Sequence, residues 1–420
     1  MKTEPIVFVG TSDLSGHFRG KSFPEADLAA RLENGVGSAT TNLFLSAFGT
    51  IHHTPFGTQG EVMLVPDTST RVFVPFDGTP AEHFYIGDFK TLAGEPWDFC
   101  PRELLRRALD RLQRETGLRL LATFEQEFTY SGAGSSEIQP YELDAYRRQG
   151  IFGESVLAAL RQAGVVPDTF LAEFGPAQFE VTSAPEIGLR AADNAVISRE
   201  IIQAVAFRLG HRASFTPVPV PNGSCNGTHI HWSFLDDQNR PVLHDPTASW
   251  ELATVGRQFI AGIQHHLPAL CAITAPSPPS YHRLRPNRWA PVRSDVGAID
   301  RGTAQRICPL TARDPQGRAR QCNVEFRVAD ATASPYLALA ALVQAGLDGI
   351  KAERDIVMTS PQPLPTELGE ALGLLEACSA ARDWFGDAFL TAYLAFKRGE
   401  LESTRGWDDA ELCRRYGAIY

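Results

Sequence analysis

Short apolar runs alternate with Gly, Pro and Thr clusters over the first hundred residues: Ile6-Val7-Phe8-Val9, then Val62-Met63-Leu64-Val65, then Val72-Phe73-Val74. Brief apolar segments punctuated by turn residues predict a small sheet domain. At Asp98-Phe99-Cys100-Pro101 the pattern changes. Pro101 suits the first turn of a helix, and Leu104, Leu105, Ala108, Leu109 and Leu112 recur on one helical face until Gly117. The change places a domain boundary near residue 97, dividing 1–97 from 98–420. Beyond it, strand patterns at 120–128, 179–181, 228–234 and 324–328 mix with helical patterns over 153–162, 192–207, 249–270 and 335–351. Strands and helices do not alternate in regular βαβ order, which predicts an α+β fold with a largely antiparallel sheet. The stretch 274–318 is rich in Pro and Arg, has no clean period and predicts a long functional loop region. After residue 360 only generic helix is legible.

Composition narrows the class. At 420 residues the chain is too long for one small core, and 43% hydrophobic with 21% charged residues is ordinary for a globular protein. A net charge of −10 argues against binding nucleic-acid backbones. No apolar run approaches the length of a membrane span, and the start, Met1-Lys2-Thr3-Glu4-Pro5, lacks the pattern of a signal peptide. The expected location is the cytoplasm. Seven scattered cysteines with no CxxC pair exclude a zinc ribbon and argue against a disulfide framework. The segment Ser15-Gly-His-Phe-Arg-Gly20-Lys21-Ser22 approaches a P-loop, but Ser15 stands where the first glycine belongs and Phe23-Pro24 does not continue as a helix.

The chemistry lies on the strand faces. In Phe124-Glu125-Gln126-Glu127-Phe128 a strand puts both glutamates on one side. In Thr228-His229-Ile230-His231-Trp232-Ser233-Phe234 the same alternation gathers His229, His231 and Ser233, and in Val324-Glu325-Phe326-Arg327-Val328 it pairs Glu325 with Arg327. Glu173 and Glu180 flank a Gly-Pro break. Taken singly, an E-x-E is most simply a solvated face, and Glu325 with Arg327 an ion pair. Taken together, several carboxylates with few nitrogen donors and no thiolates suit a hard cation, Mg²⁺ or Mn²⁺. Cations of that kind often work with phosphates, for which 274–318 supplies Arg283, Arg285, Arg288, Arg293, Arg301 and Arg306.

In order and spacing these segments resemble the glutamine synthetase family over roughly residues 5–350. The resemblance rests on Phe124-Glu-Gln-Glu-Phe, Glu173-x-Gly-Pro-Ala-Gln-x-Glu180, Asn226-Gly-Thr-His-Ile-His-Trp-Ser233, Arg283-Leu-x-Pro, and Val324-Glu-Phe-Arg followed by Ser334-Pro-Tyr-Leu and Ala345-Gly-Leu-Asp-Gly-Ile350. It implies an N-terminal β-grasp domain before a larger catalytic domain. It further implies that Glu127, Glu173 and Glu180 hold a first metal, and Glu125, His229 and Glu325 a second that bridges nucleotide phosphates. His231 and Ser233 match positions near the base and ribose of ATP, Arg283 and Arg327 those that hold the carboxylates of glutamate, and Arg301 and Arg306 the phosphate-contacting pair. Asp300-Arg301 replaces the family's usual Asn-Arg. The implied reaction is ATP-dependent: the substrate carboxylate takes the γ-phosphoryl group, and an amine then displaces phosphate. Homo-oligomeric rings, dodecameric by resemblance, are the expected assembly.

Three departures refine the expectation. The family's N-terminal aspartate, which helps bind and deprotonate ammonium, has no counterpart here: no Asp occurs between Asp27 and Asp67, and the region reads Ser46-Ala-Phe-Gly-Thr-Ile-His-His. The flap glutamate six residues after the arginine is Trp289. Losing both acids removes the groups that attract a small cation, whereas an indole offers an apolar surface and a π face. The expected acceptor is therefore an organic amine, in the manner of the family's γ-glutamylamide ligases. The third departure places Ser224 and Cys225 where the family contacts the amino group of glutamate. Competing readings are an ammonium-using glutamine synthetase, a catalytically silent structural relative, and an unrelated metal-dependent kinase.

Overall fold

A computed structural model describes residues 3–52, 54–134 and 140–420. The first sheet comprises Ile6–Ser12 (β1), Phe18–Pro24 (β2), Val36–Ala39 (β3), Glu61–Pro66 (β4), Val72–Phe76 (β5) and Thr79–Lys90 (β6). Its order is β2-β1-β6-β4-β3, with β5 also on β6, and β1 runs parallel to β6 while the other pairs are antiparallel. Alternation does the sorting: Val7, Val9, Val62, Leu64, Val72 and Val74 all turn into the core. The segment that approaches a P-loop is the β1–β2 hairpin. A Cβ on its Gly20 would lie 1.8 Å from the Val9 carbonyl oxygen, so the glycine serves strand pairing and not a phosphate.

Ten strands follow: Arg119–Phe124 (β7), Gln126–Tyr130 (β8), Pro167–Ala172 (β9), Gln178–Ser183 (β10), Glu186–Ile187 (β11), Ala213–Ser214 (β12), Ile230–Leu235 (β13), Val296–Ala298 (β14), Gln305–Ile307 (β15) and Val324–Phe326 (β16). They form one sheet of order β12-β8-β10-β9 and another of order β11-β7-β13-β16-β15-β14. Every pairing there is antiparallel except β14 with β15. The expected continuous strand over 120–128 is two strands in two sheets, parting at Glu125. The expected loop region 274–318 contains β14, β15 and the helices Ser280–Arg283 and Pro315–Gln321. Strands of three residues are too short to show a hydrophobic period, which is why the pattern hid them.

Helices Leu189–Arg208, Thr254–Thr274 and Pro335–Lys351 back the sheets and are buried along most of their length. The last two cross closely: a Cβ on Gly262 would lie 2.2 Å from the Ala345 carbonyl oxygen, and one on Gly349 only 2.5 Å from Gly262 Cα. The tail folds into four helices between Leu368 and Gly417.

Several ion pairs tie the first sheet to the rest, Arg208 with Glu82 among them, and the most buried is made by one cation. Arg102, on the helix Pro101–Thr116, is 1% exposed and bonds Asp67 at 2.8 Å, Asp88 at 2.9 Å and Asp193 at 2.9 Å. Tyr336 donates its hydroxyl to the same Asp193 at 2.7 Å. Removing the cation leaves three carboxylates facing one another with one of them fully enclosed. We expect Arg102→Leu to cost about 3–5 kcal/mol, read as a fall in the urea midpoint. Arg114→Ala, at a side chain 71% exposed, should stay within about 0.5 kcal/mol of the parent.

Candidate active site

Chain breaks and sheet register bring the acids together. Glu125 sits in the gap between β7 and β8, its N–H donating to the His229 carbonyl at 2.9 Å, while Glu127 pairs with Glu180 across β8 and β10. In the neighbouring sheet His231 faces Glu325, and Arg306 faces Glu325 from the other side. The result is a cavity of about 560 Å³ lined by Glu125, Glu127, Glu173, Glu180, Ser224, Cys225, His229, Arg283, Trp289, Arg301, Arg306 and Arg327. That volume is in the range of small-molecule sites.

At the floor His229 Nδ1 lies 2.9 Å from Glu125, 3.6 Å from Glu127 and 3.5 Å from Glu325. Three carboxylates around one nitrogen mark a position made for positive charge. His231 Nε2 lies 2.9 Å from Glu125, and its Nδ1 2.8 Å from Asn323 Oδ1. Burial works against charge on Glu125, yet His231 and His229 hold its carboxyl well below the usual range. Burial likewise disfavours charged His231, but Glu125 raises its pKa well above the ordinary value. Glu180 has no such partner: burial first, then Glu125, Glu127, Glu173 and Glu325, push its carboxyl up to about 10. A site that forces one acid to keep its proton is short of positive charge.

The donor set fits a hard divalent cation. Ligand atoms of Glu125, Glu180 and His229 lie within 4.8 Å of one another, as do those of Glu125, His231 and Glu325. This grouping differs from the two trios that the resemblance implies. Glu127 accepts from the Gly227 N–H at 2.7 Å, and Glu173 from Tyr141 Oη and its neighbour Phe174 N–H, both at 3.0 Å. Both acids remain close enough to Glu180 to oppose its charge.

The arginines form the opposite wall. Arg306 Nη1 donates to Glu325 at 2.6 Å, and Arg327 donates to the same carboxylate and to the Trp289 carbonyl oxygen at 3.3 Å. Arg283, 2% exposed, donates from Nη1 to the Val328 carbonyl at 2.9 Å and from Nη2 to the Arg327 carbonyl at 2.8 Å, two of its five N–H groups. Nε of Arg306 and of Arg327 are buried without a protein acceptor. Arg301 is exposed at the rim. Ser224 and Cys225 line the cavity, and the Cys225 carbonyl accepts from Gln178 Nε2 at 2.8 Å. Ser233 is buried, and its hydroxyl donates to the Cys322 carbonyl at 2.7 Å. Of the stretch Ser46–His53, the last residue lies outside the described residues.

Sequence reasoning missed Gln178, Asn323, Tyr141 and Phe174. Gln178 stands between the two acids of its own motif, and its Nε2 also bonds Asn226 Oδ1 at 2.9 Å and Glu127 at 3.3 Å. Its place in that motif was the available signal. Phe174 stands in the same motif beside Glu173, whereas Tyr141, from a separate loop, and Asn323, which supports His231 from outside the lining, carry no such signal.

Fold and cavity define the class. Residues 98–414 match a model of the glutamine synthetase catalytic domain, and residues 2–97 a model of the glutamine synthetase N-terminal domain. The chain belongs to the glutamine synthetase family. It is 32% identical to gamma-glutamylpolyamine synthetase GlnA3 of Streptomyces coelicolor, over 98% of this chain and 92% of that protein. It is 29% identical to the glutamate–isopropylamine ligase of a Pseudomonas species, over 84% and 81%, and 28% identical to the glutamine synthetase of Thermococcus kodakarensis, over 94% and 89%. A crystal structure described as a novel glutamine synthase homolog superposes with a TM-score of 0.95 at 38% identity, covering 100% of this chain and 99% of the other. Among the described residues no helix is long and apolar enough to cross a membrane.

The charge deficit yields a prediction. The folded protein keeps a proton on Glu180 that the unfolded chain releases near pH 4.5, so without cations stability falls as pH rises from that value toward about 10. A bound divalent cation replaces that proton. Mn²⁺ should raise the melting temperature, and raise it more at pH 8.5 than at pH 6.5. Calorimetry at both pH values checks this, and Glu180→Gln should flatten the difference. A metal-independent melting temperature would count against the assignment.

Proposed function

We propose that the chain is an ATP-dependent ligase that joins the γ-carboxylate of glutamate to an organic amine. The observation that carries this reading is one cavity lined by four carboxylates, the His229 imidazole and several arginines, with Glu325 and His231 in contact with His229 and Glu125. A carboxylate oxygen of the substrate attacks the γ-phosphorus of ATP and ADP leaves. The amine nitrogen then attacks the acyl carbon, the C–N bond forms, the bond to phosphate breaks, and the amine's excess protons pass to solvent. Glu125, Glu180 and His229, with Glu127, Glu173 and Glu325 alongside, would hold Mg²⁺ or Mn²⁺, which supplies neutralisation of phosphate charge.

The chain's own residues do the rest. Arg301 and Arg306 face the transferring phosphoryl group. Arg283 and Arg327 hold the carboxylates of the acid, and Ser224 and Cys225 border its amino group. His231, braced by Asn323, borders the nucleotide. Ser233, whose Oγ donates to the Cys322 carbonyl, stands on the same side of its strand as His231 and borders the nucleotide with it. We place the division between the N-terminal and catalytic domains at residue 97, and assign the family's ring assembly to this chain.

The choice of amine over ammonium rests on Trp289 at the cavity mouth and on the lack of an aspartate between Asp27 and Asp67. Two of the named relatives join glutamate-derived groups to organic amines, which supports the same choice.

Phosphate release should require glutamate, ATP, a divalent cation and an amine together, with a primary amine outperforming ammonium in kcat/KM. Ammonium outperforming every amine would overturn the choice of acceptor. Arg327→Ala should raise KM for glutamate about 10- to 100-fold, the worth of one charged hydrogen-bonding pair. An unchanged KM would show that the acid is held elsewhere.

A further inference from the structure

The mouth of the cavity is built of aromatic side chains exposed to solvent. Phe174 and Trp289 are 59% and 68% exposed, yet their rings stack with centroids 6.2 Å apart and planes 21° from parallel. Tyr141, also 59% exposed, stands beside them and is fixed through its hydroxyl to Glu173. Burying large apolar rings is worth far more than exposing them, so a cluster of three at one opening is a surface built for a ligand.

The backbone is also held out of its ordinary range here. Tyr141, Asn222, Asn287 and Trp289 all line this cavity, and all have left-handed φ, at 61°, 60°, 64° and 53°. Such conformations cost energy in residues that carry a Cβ and persist where surrounding contacts enforce them. The contacts are present: the Trp289 carbonyl accepts from Arg327, and Arg288 donates to the Gly223 carbonyl and to Asn222 Oδ1. Trp289 is thus bound by its backbone to an arginine of the wall while its indole faces outward.

Charge at the mouth is the third observation. The cations there are Arg288 and Arg301, and the carboxylate nearest the rings, Glu173, is bonded to Tyr141 and Phe174. A second or third ammonium on a long acceptor, lying at the mouth, would meet guanidinium groups and a Glu173 carboxylate already bonded to Tyr141 and Phe174.

Resting on the ligase reading above, we propose that Phe174, Trp289 and Tyr141 form the acceptor subsite. It takes a primary monoamine whose body is flat and apolar, an arylalkylamine, in preference to a polyamine. The reacting nitrogen points down toward the acids while the rings cover the hydrocarbon.

Phosphate release with benzylamine, phenethylamine, methylamine, spermidine and hydroxylamine tests it. The parent should favour the arylalkylamines in kcat/KM over both methylamine and spermidine. Trp289→Ala and Phe174→Ala should each raise KM for benzylamine about tenfold, as loss of a stacked aromatic contact predicts. KM for methylamine should move less than about threefold, and Trp289→Phe should restore much of the loss. Spermidine as the best acceptor, or equal losses with every amine, would overturn the subsite. A changed elution volume in Trp289→Ala with unchanged acceptor KM would overturn it too, making the rim a contact between copies of the chain. Release with no acceptor at all, hydroxylamine included, would overturn the ligase reading itself.

Discussion

Carboxylates that repel one another across a buried floor are the constraint on which the rest of the structure turns. Glu125, Glu127, Glu173, Glu180 and Glu325 cannot all be charged in the space they share, and the fold answers in several ways at once. His229 stands among three of them, His231 neutralises Glu125, Arg306 and Arg327 converge on Glu325, and Glu180 retains a proton. A core designed for stability alone would not assemble such a group, because each buried charge must be matched or neutralised. The cost is sustained only where a mobile positive charge completes the arrangement, which is the physical sense in which the cavity is a working site.

Much of this was legible from residue order. Alternation along a strand announced that Glu325 and Arg327 share a side, and that His229 and His231 do. The helix from Pro101 to Thr116 was readable because its cap residues and apolar face agree. What the chain order concealed was register between strands distant in sequence. Nothing near Arg306 signals that it lies opposite Glu325, since β15 is three residues long and lies in a stretch without period. The two-sheet break at Glu125 was hidden for the same reason: a continuous run of alternating residues looks the same whether or not the strand changes sheets. Ser233 shows what alternation leaves out: it shares a side with His231, but that its hydroxyl bonds the Cys322 carbonyl depends on a segment distant in sequence.

The two ends of the cavity use different physics. At the floor, side chains are buried or half-buried and all but Glu180 have a fixed hydrogen-bond or ion-pair partner, so position is enforced by electrostatics. At the mouth, rings are half uncovered and are held by backbone bonds from Arg288 and Arg327. A floor of this kind tolerates little substitution, because each acid depends on the next. A mouth of this kind can change its residue types without disturbing the floor. One scaffold can then keep its phosphoryl chemistry while altering what it accepts as nucleophile.

Arg102 has a consequence for how the molecule can be taken apart. Its three aspartates come from both sides of the joint between the first sheet and the remainder, so neither side is electrically complete alone. Cut from its partner, the first sheet would present Asp67 and Asp88 with no counterion, and the remainder would hold a guanidinium paired to Asp193 alone. The N-terminal sheet is therefore not a portable module: it cannot be traded between proteins as an interchangeable cassette unless the recipient supplies an equivalent arginine at the seam.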